Sequence, residues 1–194
     1  GVLSIDQLGA LSATQLGSLS YVQVKGFGAE AIAALSAEQL AALSPTQISG
    51  LTATAISGLD SAEIAALSST QLSGLTAIQF RGLADTQLAA ISTTQIGALS
   101  STQLQLLSTV QINAINTTAF TALSTTTIGG LNTTQIKGLN TTLVTALTTT
   151  QVGALTTTQL TNFTTTQLNA LTTTDVATLS TTQVSNLTVT QIAG

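Results

Sequence analysis

The 194-residue chain contains no cysteine, histidine, methionine or tryptophan, and it contains only one proline. The absence of cysteine excludes disulfide bonds and cysteine-based zinc sites, and the absence of histidine excludes a Ser-His-Asp triad. Haem ligation by His, Cys or Met is excluded for the same reason. The sequence therefore predicts no catalytic, cofactor-binding or metal-binding residue, and we expect the protein not to be an enzyme.

Charged side chains are also scarce. They make up 5% of the chain, with seven acidic residues against three basic ones, whereas ordinary domains contain about 25%. Three basic side chains can neutralise only a few phosphates. We therefore expect no nucleic-acid partner. No apolar run approaches the roughly 20 residues that a spanning helix needs, so we expect no membrane insertion.

The dominant feature of the chain is an octapeptide repeat. From Leu3 to Gly194 it recurs 24 times without insertion or deletion. With positions lettered a to h from Leu3, position a is Leu in 20 copies and position f is always Ile, Leu, Val or Phe. Position b is Ser, Thr, Asn or Asp in 22 copies, and position e is Gln in 17. A fixed period decides the fold, and it predicts one continuous array over residues 1–194 that is Thr-rich from about residue 91 onward.

Two secondary structures fit this period poorly. In a continuous α-helix, eight residues drift by about 80°, so the apolar stripe would circle the helix and no single partner could cover it. In a β-solenoid, the abundant Thr, Ile and Val would favour strands. However, apolar residues five and three apart point to opposite faces of a continuous strand. A β-solenoid with a turn in every octad stays open as the alternative.

A short capped helix in each octad fits better. Ser or Thr at b and Gln at e form a capping box, and the apolar residues at a and f form a hydrophobic staple. Pro45 falls at the first helical position, where proline is tolerated best, and Asp60 with Glu63 also completes a box. The sequence predicts an all-α solenoid of very short capped helices, one per octad. We expect small residues at g and h to let the chain leave each helix and approach its neighbour.

An octad with two apolar side chains cannot be stable alone, so stacked octads must share one core. Bulky residues at h predict local widening of the stack, at Leu106, Asn162, Thr178 and Asn186. Neither end carries a polar capping repeat. We therefore expect either head-to-tail self-association into a filament or flanking repeats of a longer chain.

Several residues are of types that often occur in catalytic, glycosylation or binding sites, but in this repeat we interpret them as structural. Asp60 and Glu63 are interpreted as a cap and its partner rather than as paired catalytic carboxylates. Five Asn-x-Thr sequons begin at Asn116, Asn132, Asn140, Asn162 and Asn186, and the first three are interpreted as helix caps. The aromatic residues Phe27, Phe80, Phe120 and Phe163 are predicted to fill the core. The cations Lys25, Arg81 and Lys137 all fall at g and are predicted to form a solvated face.

The repeat also resembles a known kind of array. Copies such as ISTTQIGA, LSSTQLQL and LTTTQVGA resemble the Leu-Thr-x-x-Gln-type octad arrays of large bacterial surface or secreted proteins described as adhesin-like or haem-utilisation-like. The resemblance implies an extracellular or cell-surface protein that forms a fibre or the stalk of an adhesin. The Thr-Thr pairs at c and d leave a second hypothesis open, which is recognition of ice or a polysaccharide by a repetitive surface.

Overall fold

A computed structural model describes residues 3–193, which contain short α-helices and no β-strand. The helices are α1 (Ile5–Gly9), α2 (Ala13–Gly17), α3 (Tyr21–Lys25), α4 (Ala29–Ala33), α5 (Ala37–Ala41), α6 (Pro45–Gly50), α7 (Ala53–Ser57), α8 (Ser61–Ala66), α9 (Ser69–Ser73), α10 (Ala77–Arg81), α11 (Asp85–Ala89), α12 (Thr93–Gly97), α13 (Ser101–Gln105), α14 (Thr109–Ala114), α15 (Thr117–Thr121), α16 (Thr125–Gly129), α17 (Thr133–Gly138), α18 (Thr141–Ala146), α19 (Thr149–Gly153), α20 (Thr157–Thr161), α21 (Thr165–Asn169), α22 (Thr173–Ala177), α23 (Thr181–Ser185) and α24 (Val189–Ala193). The prediction of an all-α solenoid with one helix per octad is confirmed, and the β-solenoid alternative is wrong.

The predicted capping box starts most of these helices. In α12, the Ser92 backbone N–H donates to Gln95 Oε1 at 2.8 Å, and the Gln95 backbone N–H donates to Ser92 Oγ at 3.3 Å. Pro45 stands in the first turn of α6, as predicted. Gly28 and Ala84 have no oxygen in the side chain, so they provide no side-chain cap. Helices α4 and α11 nevertheless begin at position c, and their residues at b have the same extended conformation as the capping residues of the other octads.

The chain leaves each helix without a left-handed residue. No residue among 3–193, glycine or otherwise, has a positive φ, so no left-handed residue ends a helix. After α12, Ala98 is still right-handed at φ −85°, ψ −7°, and the cap of the next helix, Ser100, is extended at φ −78°, ψ 158°. The change of direction is therefore made by extended residues, and small residues at h serve the approach of neighbouring helices instead.

Three octads make one superhelical turn. The helices in most extensive contact are three apart in the sequence, as for α3 with α6, α11 with α14, and α12 with α15. The array therefore has three columns of stacked helices, which we call the first, second and third columns after the helices α1, α2 and α3 that begin them. Successive helices of a column are 24 residues apart, and the 24 helices form eight turns.

One apolar core runs through the stack. Side chains at a and f from all three columns form a single cluster of buried residues from Leu8 to Leu171. Phe80, Phe120 and Phe163 are buried in this core, and Phe27 is packed against it, which confirms that they are core residues. Sharing one core between octads is what allows helices of five or six residues to be stable.

Residues at h meet position c of the helix three places earlier. A Cβ atom added to Gly138 would lie 2.5 Å from Thr109 Cγ2, and one added to Gly74 would lie 2.9 Å from Pro45 Cβ. Leu106 stands at h in α13's octad, and α10 with α13 is the one pair of helices three apart that lacks extensive contact. This pair fits the widening predicted at Leu106.

The other three bulky residues at h leave the packing in place. The pairs α17 with α20, α19 with α22, and α20 with α23 stay in contact. Asn162 and Asn186 turn back and donate from Nδ2 to the carbonyl oxygens of Thr158 and Thr182, each at 2.8 Å. Thr178 Oγ1 similarly donates to the Asp175 carbonyl at 2.6 Å. A side chain that bonds to its own helix does not push the next turn away.

Candidate functional site

The most organised polar feature is the glutamine at position e. Gln71 Oε1 accepts from the backbone N–H of Ser68 at 2.7 Å, which completes the capping box of α9. Its Nε2 atom donates to the carbonyl oxygens of Leu40 at 2.9 Å and Leu43 at 2.6 Å. The Leu40 carbonyl lies in the last turn of α5, where it also accepts the Leu43 backbone N–H at 3.1 Å, and the Leu43 carbonyl lies just beyond the end of that helix. One side chain therefore caps the start of one helix and the end of another in the turn below.

This arrangement is general along the solenoid. Every glutamine at e from Gln39 onward donates from Nε2 to a carbonyl oxygen 28 to 31 residues earlier. These glutamines are Gln39, Gln47, Gln71, Gln79, Gln87, Gln95, Gln103, Gln111, Gln135, Gln151, Gln159, Gln167, Gln183 and Gln191. The bonds run along the solenoid axis and tie each turn to the one before it.

Most of these glutamines are buried, so their amide groups need hydrogen-bond partners within the protein. Gln71, Gln79 and Gln87 are each almost completely covered. A buried polar group left without a partner destabilises a protein by about 1–3 kcal/mol. No buried side-chain nitrogen or oxygen in residues 3–193 lacks a hydrogen-bond partner. The glutamine rows therefore stabilise a particular register between turns, because a shift of one residue would break the whole set.

One octad without glutamine shows a replacement for it. α15 has Ala119 at e, and the cap residue Asn116 extends its Nδ2 to the carbonyl oxygens of Ala89 and Ile91, both at 3.0 Å. These carbonyls lie 30 and 28 residues before Ala119, where a glutamine at e would donate. Asn116 Oδ1 still accepts from the Ala119 N–H at 2.8 Å. An Asn cap thus supplies both the helix cap and the tie between turns.

Two octads carry an acid at e and lose the donor. Glu63 and Asp175 accept the N–H of their caps, Asp60 and Thr172, at 2.6 and 2.9 Å. A carboxylate has no N–H to donate to the turn below. The interpretation of Asp60 and Glu63 as a cap and its box partner is confirmed, and the tie between turns is missing at both places.

The capping box was predictable from the sequence, but the tie between turns was not. A capping box accepts Glu as well as Gln, yet Gln occupies e in 17 octads and Glu only in that of Glu63. The excess of amide over carboxylate is the signal of a second, donor role. The sequence does not show which carbonyl accepts, because that depends on the number of octads in a turn.

The remaining candidate residues are separate from one another. Asn116, Asn132 and Asn140 are helix caps, as predicted. Lys25, Arg81 and Lys137 are exposed, each in the last turn of its helix. Among residues 3–193, no three acidic side chains meet in a group that could hold a metal ion, and no helix is long and apolar enough to cross a bilayer.

The third column has an outer surface unlike those of the other two. Its position d carries an exposed threonine once per turn from α6 to α24, namely Thr46, Thr70, Thr94, Thr118, Thr142, Thr166 and Thr190. The corresponding rows of the first and second columns are interrupted, by Glu30 and Ile78 and by Glu38 and Val110. The octads of the third column contain no acidic residue, and their one cation is Lys25. We call these seven side chains the threonine row.

Part of the chain is similar to a known repeat family. The family model of the ALTTAQ repeat matches residues 128–165, which lie in the Thr-rich part of the array and include α17 to α20. The match supports the interpretation of the chain as a repeat array. No curated protein matches the chain.

Proposed function

We propose that this protein is a non-catalytic structural array that forms an extracellular fibre or the stalk of a surface adhesin. The observation that carries the proposal is the row of glutamine ties from Gln39 to Gln191, which joins successive turns along one axis. With neighbouring helices roughly 8–10 Å apart, eight turns extend about 60–80 Å. These hydrogen bonds thus stabilise a long array with a fixed register between turns, as a spacer requires.

The resemblance to surface octad arrays supports the extracellular part of the proposal. The composition also fits, because a chain without Cys, Met or His has few side chains that oxidants or metals attack. The small number of cations argues against a nucleic-acid partner. In this role the protein needs no cofactor and no metal.

The experiment for this proposal is surface labelling of the cells that produce the protein. An antibody against the purified chain should label intact cells or material outside them, and protease added to intact cells should remove the signal. Labelling that appears only after the cells are permeabilised would rule out the extracellular role. Negative-stain microscopy of the purified protein should show thin, uniform rods or filaments, whereas compact particles would contradict the spacer.

A second candidate function is supported by the threonine row. Seven exposed hydroxyl and methyl groups at one per turn, on a face without acids, offer a neutral and periodic surface. Such a surface suits a neutral periodic partner such as ice or a polysaccharide. The alternative explanation is that threonine keeps a long rod hydrated and soluble.

A matched pair of variants separates these two explanations. Thr118→Lys with Thr142→Lys changes the threonine row, while Thr126→Lys with Thr150→Lys changes exposed threonines at d in the first column. Recognition predicts that the first double variant alone loses retention on the polysaccharide or inhibition of ice growth. If the wild-type protein shows neither activity, the recognition hypothesis fails and the structural proposal is unaffected.

A further inference from the structure

We propose that the solenoid contains a hinge between its fourth turn (α10 to α12) and its fifth turn (α13 to α15), which is set by Leu106 and about which the two halves of the array move. The hinge is open in the first column, where α10 faces α13, and we call this contact the α10–α13 joint. In a long rod, a hinge of this kind allows a change of direction without unfolding. It depends on the solenoid fold alone, so its test is independent of the extracellular role.

Leu106 occupies a position at which neighbouring turns approach closely. Residues at h lie against position c of the helix three places earlier, as Gly82 does with Ala53. The same register places Leu106 against Ala77, the first residue of α10. Most other octads of the first column have glycine or alanine at h. Because the distance between packed helices varies over about 8–10 Å with the side chains at the contact, a leucine at this position holds α13 away from α10.

The glutamine tie is displaced at the same joint. Every other glutamine tie in the array reaches the carbonyl oxygen of an a residue, as Gln95 does with Leu67 at 2.7 Å. Gln103 of α13 instead donates to the Ser73 carbonyl at 2.7 Å and, within residues 3–193, not to that of Leu75. Its side chain is partly exposed, whereas that of Gln95 is buried. The displaced hydrogen bond and the lost helix contact are separate observations, and both indicate an open joint.

The other two columns stay closed between the same two turns. The pairs α11 with α14 and α12 with α15 are among the helices in most extensive contact. The core is continuous through the α10–α13 joint, because the apolar residues on both sides of it are buried, namely Leu72, Leu75, Leu104 and Leu107. Wide spacing in one column and close spacing in the other two tilt the fifth turn on the fourth, so the axis bends toward the closed columns. A joint with one open side can therefore flex while its core remains covered.

The turn above the joint is held by additional hydrogen bonds. Gln105 Nε2 donates to the Gly130 carbonyl at 2.6 Å, which joins α13 to the octad of α16. In the second column, Asn113 Nδ2 donates to the Gly138 carbonyl at 2.8 Å, and its Oδ1 accepts the Asn140 backbone N–H at 2.9 Å. Both side chains stand at g and connect the fifth turn to the sixth. Motion is therefore concentrated below α13, because the turns above it are held together.

Distances between spin labels measure the hinge directly, since the chain has no cysteine that would compete for the label. The pair Thr54→Cys with Thr102→Cys spans the α10–α13 joint in the first column, from α7 to α13. The pair Thr102→Cys with Thr150→Cys spans the same number of turns above the joint, from α13 to α19. All three threonines are exposed at position d, so the second pair is a matched control. Leu106→Ala, introduced into both pairs, removes the bulky side chain from the joint.

Double electron–electron resonance on the nitroxide-labelled pairs should give a longer and broader distance distribution across the joint than above it. We expect the mean distance to be longer by about 2 Å, the difference between close and wide helix packing. Leu106→Ala should shorten and narrow the distribution across the joint to that of the control pair, and it should leave the control pair unchanged.

Two results would contradict this account. A distribution across the joint that is no broader than that of the control pair would overturn the hinge. A distribution across the joint that stays the same after Leu106→Ala would overturn the assignment of the hinge to Leu106. Neither result bears on the extracellular structural role, which surface labelling tests separately.

Discussion

The side-chain amide of Gln71 donates a 2.6 Å hydrogen bond to the backbone carbonyl of Leu43, which lies 28 residues earlier. The same side chain accepts the N–H of Ser68 at the start of its own helix. Because both ends of the amide group are used, a residue selected by local capping also sets the contact between turns. Local structure and long-range register are thereby specified by one position of the repeat.

The donor half of this amide can be removed without removing the acceptor half. Gln71→Glu keeps an oxygen for the Ser68 N–H, but it places a carboxylate oxygen opposite the carbonyls of Leu40 and Leu43. We expect the free energy of unfolding in urea to fall by about 1–3 kcal/mol. The control is Gln15→Glu, where Gln15 is exposed and makes only its capping box. Equal effects at the two positions would mean that the tie between turns contributes nothing.

The missing tie at Asp175 can be restored. Asp175 is buried and cannot donate, and the carbonyls 31 and 28 residues earlier belong to Val144 and Leu147. Asp175→Gln keeps the box with Thr172 and adds a donor of the right length, so we expect stabilisation of about 1 kcal/mol. Asp85→Gln, at an exposed first-turn position, controls for the loss of charge and should change stability by less than about 0.5 kcal/mol. Thermal unfolding of both variants measures the difference, and no gain for Asp175→Gln would be evidence against the restored tie.

Two adjacent glycines separate the effect of helix propensity from the effect of close packing. A Cβ atom on Gly129 would meet nothing within 4 Å, whereas one on Gly130 would lie 2.5 Å from Ser101 Cβ. Gly129→Ala should stabilise α16 by up to about 1 kcal/mol. Gly130→Ala should destabilise the array by about 1–3 kcal/mol because α13 and α16 must move apart. Urea unfolding of the two variants should give opposite signs, and matching signs would contradict the role assigned to position h.

Removing a helix cap should lower the stability of the array, and adding one should raise it. Ser92→Ala should reduce stability by about 1 kcal/mol, and Ala84→Ser should increase it by a similar amount, because Ala84 begins α11 without a side-chain acceptor. Gln95→Ala should be more harmful than Ser92→Ala, since Gln95 also donates to the carbonyls of Ile64 and Leu67. Hydrogen exchange at the first turns of α11 and α12 locates these changes, and an effect spread evenly over the array would argue against a local cap.

The local part of this fold could be predicted from the sequence, whereas the long-range part could not. Ser92 and Gln95 are three residues apart, so their capping box can be inferred from spacing alone. The tie from Gln95 to Leu67 crosses 28 residues, and its length depends on the angle between successive octads. That angle arises from the way the a and f side chains of three columns fill one core, which no single octad specifies.

The threonine row could likewise be predicted only in part from the sequence. The Thr-Thr pairs are visible in the sequence, but their assignment to three columns requires the number of octads per turn. Once that number is three, Thr94, Thr118 and Thr142 lie in one uninterrupted row. Ile78 and Val110 fall in the other two columns.

The number of octads per turn is the central claim, and disulfide trapping tests it most directly because the chain has no cysteine of its own. A Cβ atom on Gly82 would lie 3.8 Å from Ala53 Cβ, close to the mean separation of about 3.8 Å in disulfides. The double variant Gly82→Cys with Ala53→Cys should oxidise to one intramolecular disulfide, visible by mass spectrometry and in non-reducing electrophoresis. Two control pairs combine Gly82→Cys with Ser61→Cys or with Pro45→Cys. Both residues stand at position c, Ser61 one octad after Ala53 and Pro45 one octad before it. Rapid bonding of the Ala53 pair alone is the predicted result, and preferential bonding of either control pair would contradict three octads per turn.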